Sequence, residues 1–157
     1  VKEKGGELPL LLVLDQIQDP GNLGTIVRTA EGAGVTGIVM SQDCVDMYNP
    51  KVVRSTMGAA YRVPFCYVED LAVEVKQMKE AGICTYAAHL KGKNSYDEED
   101  YRKASAFLIG NEGNGLRDEV ADQAQVYIRI PMKGQVESLN AAVATAILTF
   151  EAARQRR

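Results

Sequence analysis

Tryptophan is absent from the 157 residues, histidine occurs once and cysteine three times. The lone His89 removes most histidine-based metal sites and most Ser-His-Asp arrangements. Cys44, Cys66 and Cys84 are widely spaced and form no C-x-x-C pair, which speaks against a zinc ribbon or a thioredoxin-like site. They read as three small buried thiols in a reducing cytosol, without a metal. No apolar run approaches the roughly 18 residues that a membrane span needs. Residues 1–14 have neither the charge pattern nor the cleavage site of a signal peptide, so a cytoplasmic protein is expected. Positive charge is also in short supply: 18 Lys and Arg stand against 21 Asp and Glu, a net charge of −3. Taken alone, that balance weighs against a nucleic-acid binder, because phosphate-facing domains usually carry a positive excess.

What is present is ordinary globular composition, with 46% hydrophobic and 25% charged residues. The length suits one domain with a real core. Residues 1–8 (VKEKGGEL) are charged and contain glycine, like the end of a linker, which leaves 9–157 as the domain. Short apolar runs at 9–14, 38–40, 65–68, 83–88, 106–109 and 126–130 have strand length. Runs apolar on both faces suit a parallel sheet covered on both sides. Between them, 22–33, 70–81 and 139–153 carry apolar residues at helical spacing. The alternation predicts an α/β fold with a mostly parallel sheet flanked by helices.

Three segments place polar or glycine-rich loops after such strands, where open parallel sheets bind ligands. In the first, 14–33 (LDQIQDPGNLGTIVRTAEGA), a strand ends near Asp15 and a DPGN turn follows, with Asn22 as a fair N-cap. Arg28 falls about 200° around that helix from Ile26, away from the apolar stripe. A guanidinium there suits a phosphate, although a solvated helix arginine would look the same. In the second, 107–116 (FLIGNEGNGL), a strand runs into a loop containing Gly110, Gly113 and Gly115, which lets a ligand approach the backbone. Glu112 would repel a phosphate, so the ligand is expected to be neutral or cationic at that point. In the third, 128–144 (IRIPMKGQVESLNAAVA), a strand ends at Pro131, Ser138 is the expected N-cap, and Asn140 lies in the first helical turn.

In this order the three segments resemble the motifs of the SpoU/TrmH family of RNA 2′-O-ribose methyltransferases, within the SPOUT superfamily. The matching stretches are 19–34, 108–116 and 130–147, and 49–65 resembles the family's RSxxGA segment. The resemblance implies an α/β fold whose C-terminal part forms a deep trefoil knot. It implies S-adenosylmethionine as cofactor, held by Gly110, Asn111, Glu112 and Gly113, by Ile130, Pro131 and Met132, and by Leu139 and Asn140. Ala87, Ala88 and His89 would form another wall. Arg28 is placed at the nucleophile, usually described as a general base and often acting across a homodimer interface. Because arginine keeps its proton above pH 12, stabilising the developing alkoxide and gripping the adjacent phosphate is the sounder role. Asn22, Glu112, Ser138 and Asn140 would orient Arg28 and the hydroxyl.

The RNA itself is ribosomal rather than transfer RNA by general resemblance of 43–58 and 150–156. Alternatives are a tRNA 2′-O-methyltransferase, a guanine methyltransferase, an unrelated nucleotide-binding domain, or an inactive RNA-binding module. The SLNAA stretch disfavours the guanine enzyme and Glu112 the nucleotide binder. Many relatives carry an upstream RNA-binding domain before a linker like residues 1–8. The net charge then takes a sharper meaning. RNA contact needs only a local patch, for which Arg28, Lys51, Arg54, Arg62 and Arg117 are candidates. The chain alone is expected to bind RNA weakly, with shallow salt dependence.

Overall fold

The computed structural model describes residues 8–59, 62–89, 91–135 and 139–157. Its centre is a seven-stranded sheet: β1 (Leu10–Leu14), β2 (Gly37–Ser41), β3 (Phe65–Val68), β4 (Cys84–Ala88), β5 (Asn94–Ser95), β6 (Ser105–Ile109) and β7 (Val126–Arg129). The spatial order is β3-β2-β1-β6-β4-β7-β5, and every pairing is parallel. The helices are α1 (Pro20–Ala33), α2 (Pro50–Thr56), α3 (Leu71–Glu80), α4 (Asp118–Ala121) and α5 (Ala141–Arg156).

Every residue of β1, β2 and β6 is buried because successive side chains leave the strand on opposite faces and both faces are covered. Leu10, Leu12 and Leu14 join Ile38, Met40, Phe107 and Ile109 in a cluster with α1 and α5, filled by Leu23, Ile26, Val27, Ala142 and Leu148. Leu11 and Val13 face the other way, with Val39, Ala106 and Leu108, onto Leu71 and Val75 of α3 and Val120 of α4. The strand and long-helix expectations hold to within two or three residues. The sequence reading passed over four short elements: α2, α4, the two-residue β5 and a 3-10 turn at Tyr96–Glu98.

Helix starts differ from the expected ones for a local reason. Asp19, not Asn22, caps α1: its side chain accepts from the Gly21 N–H, and Pro20 occupies the first turn, where its missing donor does no harm. Asn140 caps α5 by accepting from the N–H groups of Ala142 and Val143, while Ser138 lies outside the described residues. Asp70 caps α3, its side chain accepting from the Val73 N–H. The cysteines are not all buried: Cys44 is, Cys84 is half-buried, and Cys66 is exposed. Cys66 sits on β3, at the edge of the sheet, where one face is open.

The connections cross. From β4 the chain runs to the far edge at β5, returns to the centre as β6, then goes back out as β7 between β4 and β5. The β4–β5 link therefore passes over β7. There Gly92 lies so close to Ile128 that a Cβ would stand 2.6 Å from its carbonyl carbon. Near the end of α5, Arg156 donates to the carbonyls of Tyr101, Leu8, Pro9 and Lys103, holding the last helix to the entry of β1. Arg156→Ala is expected to cost about 2–3 kcal/mol in a urea unfolding series, the scale of hydrogen bonds from a charged donor. Arg156→Lys should recover only part, because an ammonium cannot reproduce the fork.

Candidate active site

The carboxyl ends of β1, β6, β4 and β7 lie side by side, so the three motif loops open at one end of the sheet. Immediately after β1, Asp15 is fully buried. Its carboxylate accepts from the Arg117 backbone N–H (2.8 Å) and from the guanidinium at Nε (2.9 Å) and Nη2 (2.8 Å). Gln16 follows in a left-handed conformation (φ 57°). Its N–H donates to Ser41 Oγ (2.9 Å) and its amide to Asp43 Oδ2 (2.7 Å), while its carbonyl accepts from Asn111 Nδ2 (2.6 Å). Burial works to raise the Asp43 carboxyl, but hydrogen bonds from Ser41 and Gln16 outweigh it and hold it below the usual carboxylate range. Two backbone segments nearly a hundred residues apart are thus joined at the site.

The loop that follows β6 closes on itself. Asn111 and Gly115 exchange backbone hydrogen bonds of 3.1 and 3.0 Å, and Asn111 Oδ1 accepts from the N–H groups of Gly113 (2.8 Å) and Asn114 (3.1 Å). A Cβ on Gly110 would stand 2.1 Å from the Leu116 nitrogen, so only glycine fits there. Asn111 and Gly113 thereby shape the loop with the groups proposed to meet a cofactor, and Glu112 is left exposed at its tip. Beyond β7, Ile130 is half-buried and Pro131 and Met132 are exposed. Leu139 is half-buried just ahead of α5.

Asn140 does more than cap α5. Its Nδ2 donates to Asn22 Oδ1 at 3.0 Å, linking the first motif to the third across 118 residues. Arg28 is exposed and its side chain makes no hydrogen bond or ion pair among the described residues. Six residues along α1 from Asn22, it lies about 240° around the helix. The structure therefore brings Asn22 and Asn140 together and gives Arg28 and Glu112 no contact with them.

At the end of β4, Ala87 is buried in the sheet and Ala88 half-buried. The His89 N–H donates to the Ile128 carbonyl, and His89 Nδ1 accepts from the Lys91 N–H at 3.0 Å. The imidazole stacks on Tyr127 with centroids 5.0 Å apart. His89 thus shapes the crossing loop. Of the five basic candidates, Lys51 and Arg54 stand exposed on α2, Arg62 pairs with Glu31 (2.8 Å), and Arg117 is engaged by Asp15. Arg117 is a structural partner of a buried acid, not an open surface cation. Asp15, Gln16, Ser41 and Asp43 were missed as site residues. The signal was an acid ending an otherwise apolar run.

Half-buried Ile130 with exposed Pro131 and Met132 after β7, and the exposed carboxylate of Glu112 after β6, suit a ligand with a flat heterocycle and a cationic centre. S-adenosylmethionine has both. Among the described residues, no group of His, Cys, Asp and Glu could hold a metal ion, and no helix is long and apolar enough to cross a membrane.

A family model for SpoU rRNA methylases matches residues 9–150. The chain belongs to that family. Among curated SpoU relatives, the 23S rRNA (guanosine-2'-O-)-methyltransferase RlmB of Xylella fastidiosa is 39% identical over 156 residues, 99% of this chain and 62% of its own length. The 23S rRNA (guanosine(2553)-2'-O)-methyltransferase RlmP of Bacillus subtilis is 35% identical over 149 residues, 95% of this chain and 60% of its own. Among solved SpoU-like structures, the AdoMet-bound rRNA methyltransferase of Sinorhizobium meliloti superposes with a TM-score of 0.88 at 38% identity, covering 98% of this chain and 58% of that one. The chain spans about 60% of the length of the curated relatives it matches.

Arg117→Ala leaves the Asp15 carboxylate buried without its charge partner and is expected to cost about 3 kcal/mol in chemical denaturation. Asp15→Asn with Arg117→Ala should cost less than the two single changes summed. Asn140→Ala should cost about 1 kcal/mol through the lost cap.

Proposed function

We propose that this chain is the methyltransferase domain of an enzyme that moves a methyl group from S-adenosylmethionine to a ribose 2′-hydroxyl of RNA, ribosomal rather than transfer RNA. The observation that carries the reading is the convergence of the three motif loops at one end of the sheet, with Asn22 bonded to Asn140. The names of the 23S rRNA methyltransferases among the relatives favour the ribosomal substrate.

When bound, the sulfonium supplies both the methyl group and its leaving group. The loops at 110–113 and 130–132, with Leu139 and the wall at Ala88 and His89, hold the cofactor and keep water from the methyl carbon. Arg28 retains its proton at any ordinary pH. It therefore serves as a fixed cation beside the 2′-oxygen, stabilising developing negative charge and gripping the neighbouring phosphate, which takes the hydroxyl proton. Asn22 and Asn140, held in register by their mutual hydrogen bond, orient the ribose. Glu112, exposed at the loop tip, supplies a carboxylate for the cationic centre of the cofactor.

Two copies complete the site in this reading. On α5, Val143 and Phe150 are exposed and Ile147 between them is half-buried, one apolar stripe at helical spacing. The stripe is the face through which two copies would pair, with Arg28 of one acting at the Asn22–Asn140 pair of the other. The crossing of the β4–β5 link over β7 at Gly92 is what a trefoil knot in the C-terminal half requires. Residues 1–8 would join domain 9–157 to an upstream RNA-binding part, in a cytoplasmic protein with no metal.

Calorimetric titration and transfer of a labelled methyl group to ribosomal RNA test this reading. Arg28→Ala should lower transfer by about 10²–10³-fold, the scale for losing one preorganised charge donor, with S-adenosylmethionine affinity nearly unchanged. Transfer within tenfold of the parent would remove Arg28 from the mechanism. Phe150→Asp should shift sedimentation from dimer to monomer and lower transfer with it.

A further inference from the structure

Among the described residues, the most exposed ring system outside these loops lies between β2 and α2. Tyr48 is 61% exposed. It is not loosely hung. Its N–H donates to Asp46 Oδ1 (3.0 Å), and the Asn49 side chain caps the next helix by accepting from the Lys51 N–H (2.9 Å). Beneath it, the Tyr48 ring meets Phe65 edge-on at 6.0 Å, and Phe65 meets Tyr67 at 6.3 Å. The Tyr67 hydroxyl in turn accepts from the Met47 N–H and donates to the Val45 carbonyl, each at 2.8 Å. The residues on both sides of Tyr48 are therefore fixed, and the ring is presented to solvent from a rigid support.

Its neighbours are cations. Lys51 and Arg54 follow at three-residue steps, are exposed, and their side chains have no partner among the described residues. Asp46, two residues before Tyr48, is the nearest acid along the chain, and its carboxylate accepts from the Tyr48 N–H. This helix packs on α1 with Ser55 against Gly24, one turn before Arg28 on the same face. A solvent-held aromatic ring followed by two unpaired cations suits a single strand of nucleic acid, whose bases stack on the ring while its phosphates meet the charges.

We infer that Tyr48 is a stacking platform for a nucleobase of the RNA substrate, with Lys51 and Arg54 holding the adjoining phosphates. The inference rests on the RNA-methyltransferase reading for its partner, and it adds a residue that the motifs do not include.

Because the chain contains no tryptophan, Tyr48→Trp installs a single indole reporter. At low salt, the full chain is titrated with an unstructured oligoadenylate and with a ribose-phosphate strand of equal length lacking bases. Oligoadenylate should quench the indole and the abasic strand should not. Tyr48→Ala should bind oligoadenylate about tenfold more weakly, whereas Tyr48→Phe keeps most of the affinity and both keep the parent's melting temperature within a few degrees. Lys51→Ala and Arg54→Ala should each reduce the salt slope by about 0.7. Three results would overturn the platform: equal binding by Tyr48→Ala and parent, no binding by the parent, or equal quenching by the abasic strand. Indole emission that changes with protein concentration in the absence of RNA would also overturn it, placing a second copy on the ring. S-adenosylmethionine titration of the same variants separates the two readings. Failure of the parent to bind the cofactor contradicts the methyltransferase, whereas normal cofactor binding without a Tyr48 effect contradicts the platform alone.

Discussion

The buried carboxylate of Asp15 is the constraint around which the candidate site is organised. It ends the most apolar strand of the sheet, and such a charge is tolerable only with close partners. Arg117 supplies them through both its backbone and its guanidinium. Arg117 comes directly after the glycine-rich loop, so satisfying Asp15 also fixes where that loop ends. Gln16 fixes where it begins, through Asn111. The loop is pinned at both ends to the strand that leads into α1, the helix that carries Asn22 and Arg28.

That arrangement explains a division of labour among polar residues. Asn111, Gly113 and His89 make the hydrogen bonds that close the turns bounding the site. Glu112, Pro131 and Met132 are left outward, available to a ligand. Asn22 and Asn140 are bonded to each other while each is placed by its own helix. A site built this way gains its precision from hydrogen bonds made before any ligand arrives, the condition under which fixed dipoles and charges act on a transition state at least cost.

Much of the sheet was legible because strands covered on both faces show as continuous apolar runs, and 10–14 and 105–109 are such runs. The long helices were legible from their stripes. The short ones, α2 and α4, carry too few turns to register a period. Cap positions went astray where a better-placed acid, Asp19, and a proline at the first turn outcompeted Asn22. Arg117 read as an open cation because its partner lies 102 residues away, and Cys66 read as buried because nothing local marks β3 as an edge. The site residues were grouped by resemblance alone. Spacing could not have joined Asn22 to Asn140, nor placed Tyr48 on its aromatic support.

The central claim is that the loops after β4, β6 and β7 form one cofactor site. Hydrogen–deuterium exchange on the full chain, with and without S-adenosylmethionine, tests it most directly. The account predicts new protection in 87–89, 108–116 and 128–135 together, with little change in α3 or at the β3 edge. No protection at saturating cofactor, or protection confined to other segments, would contradict it.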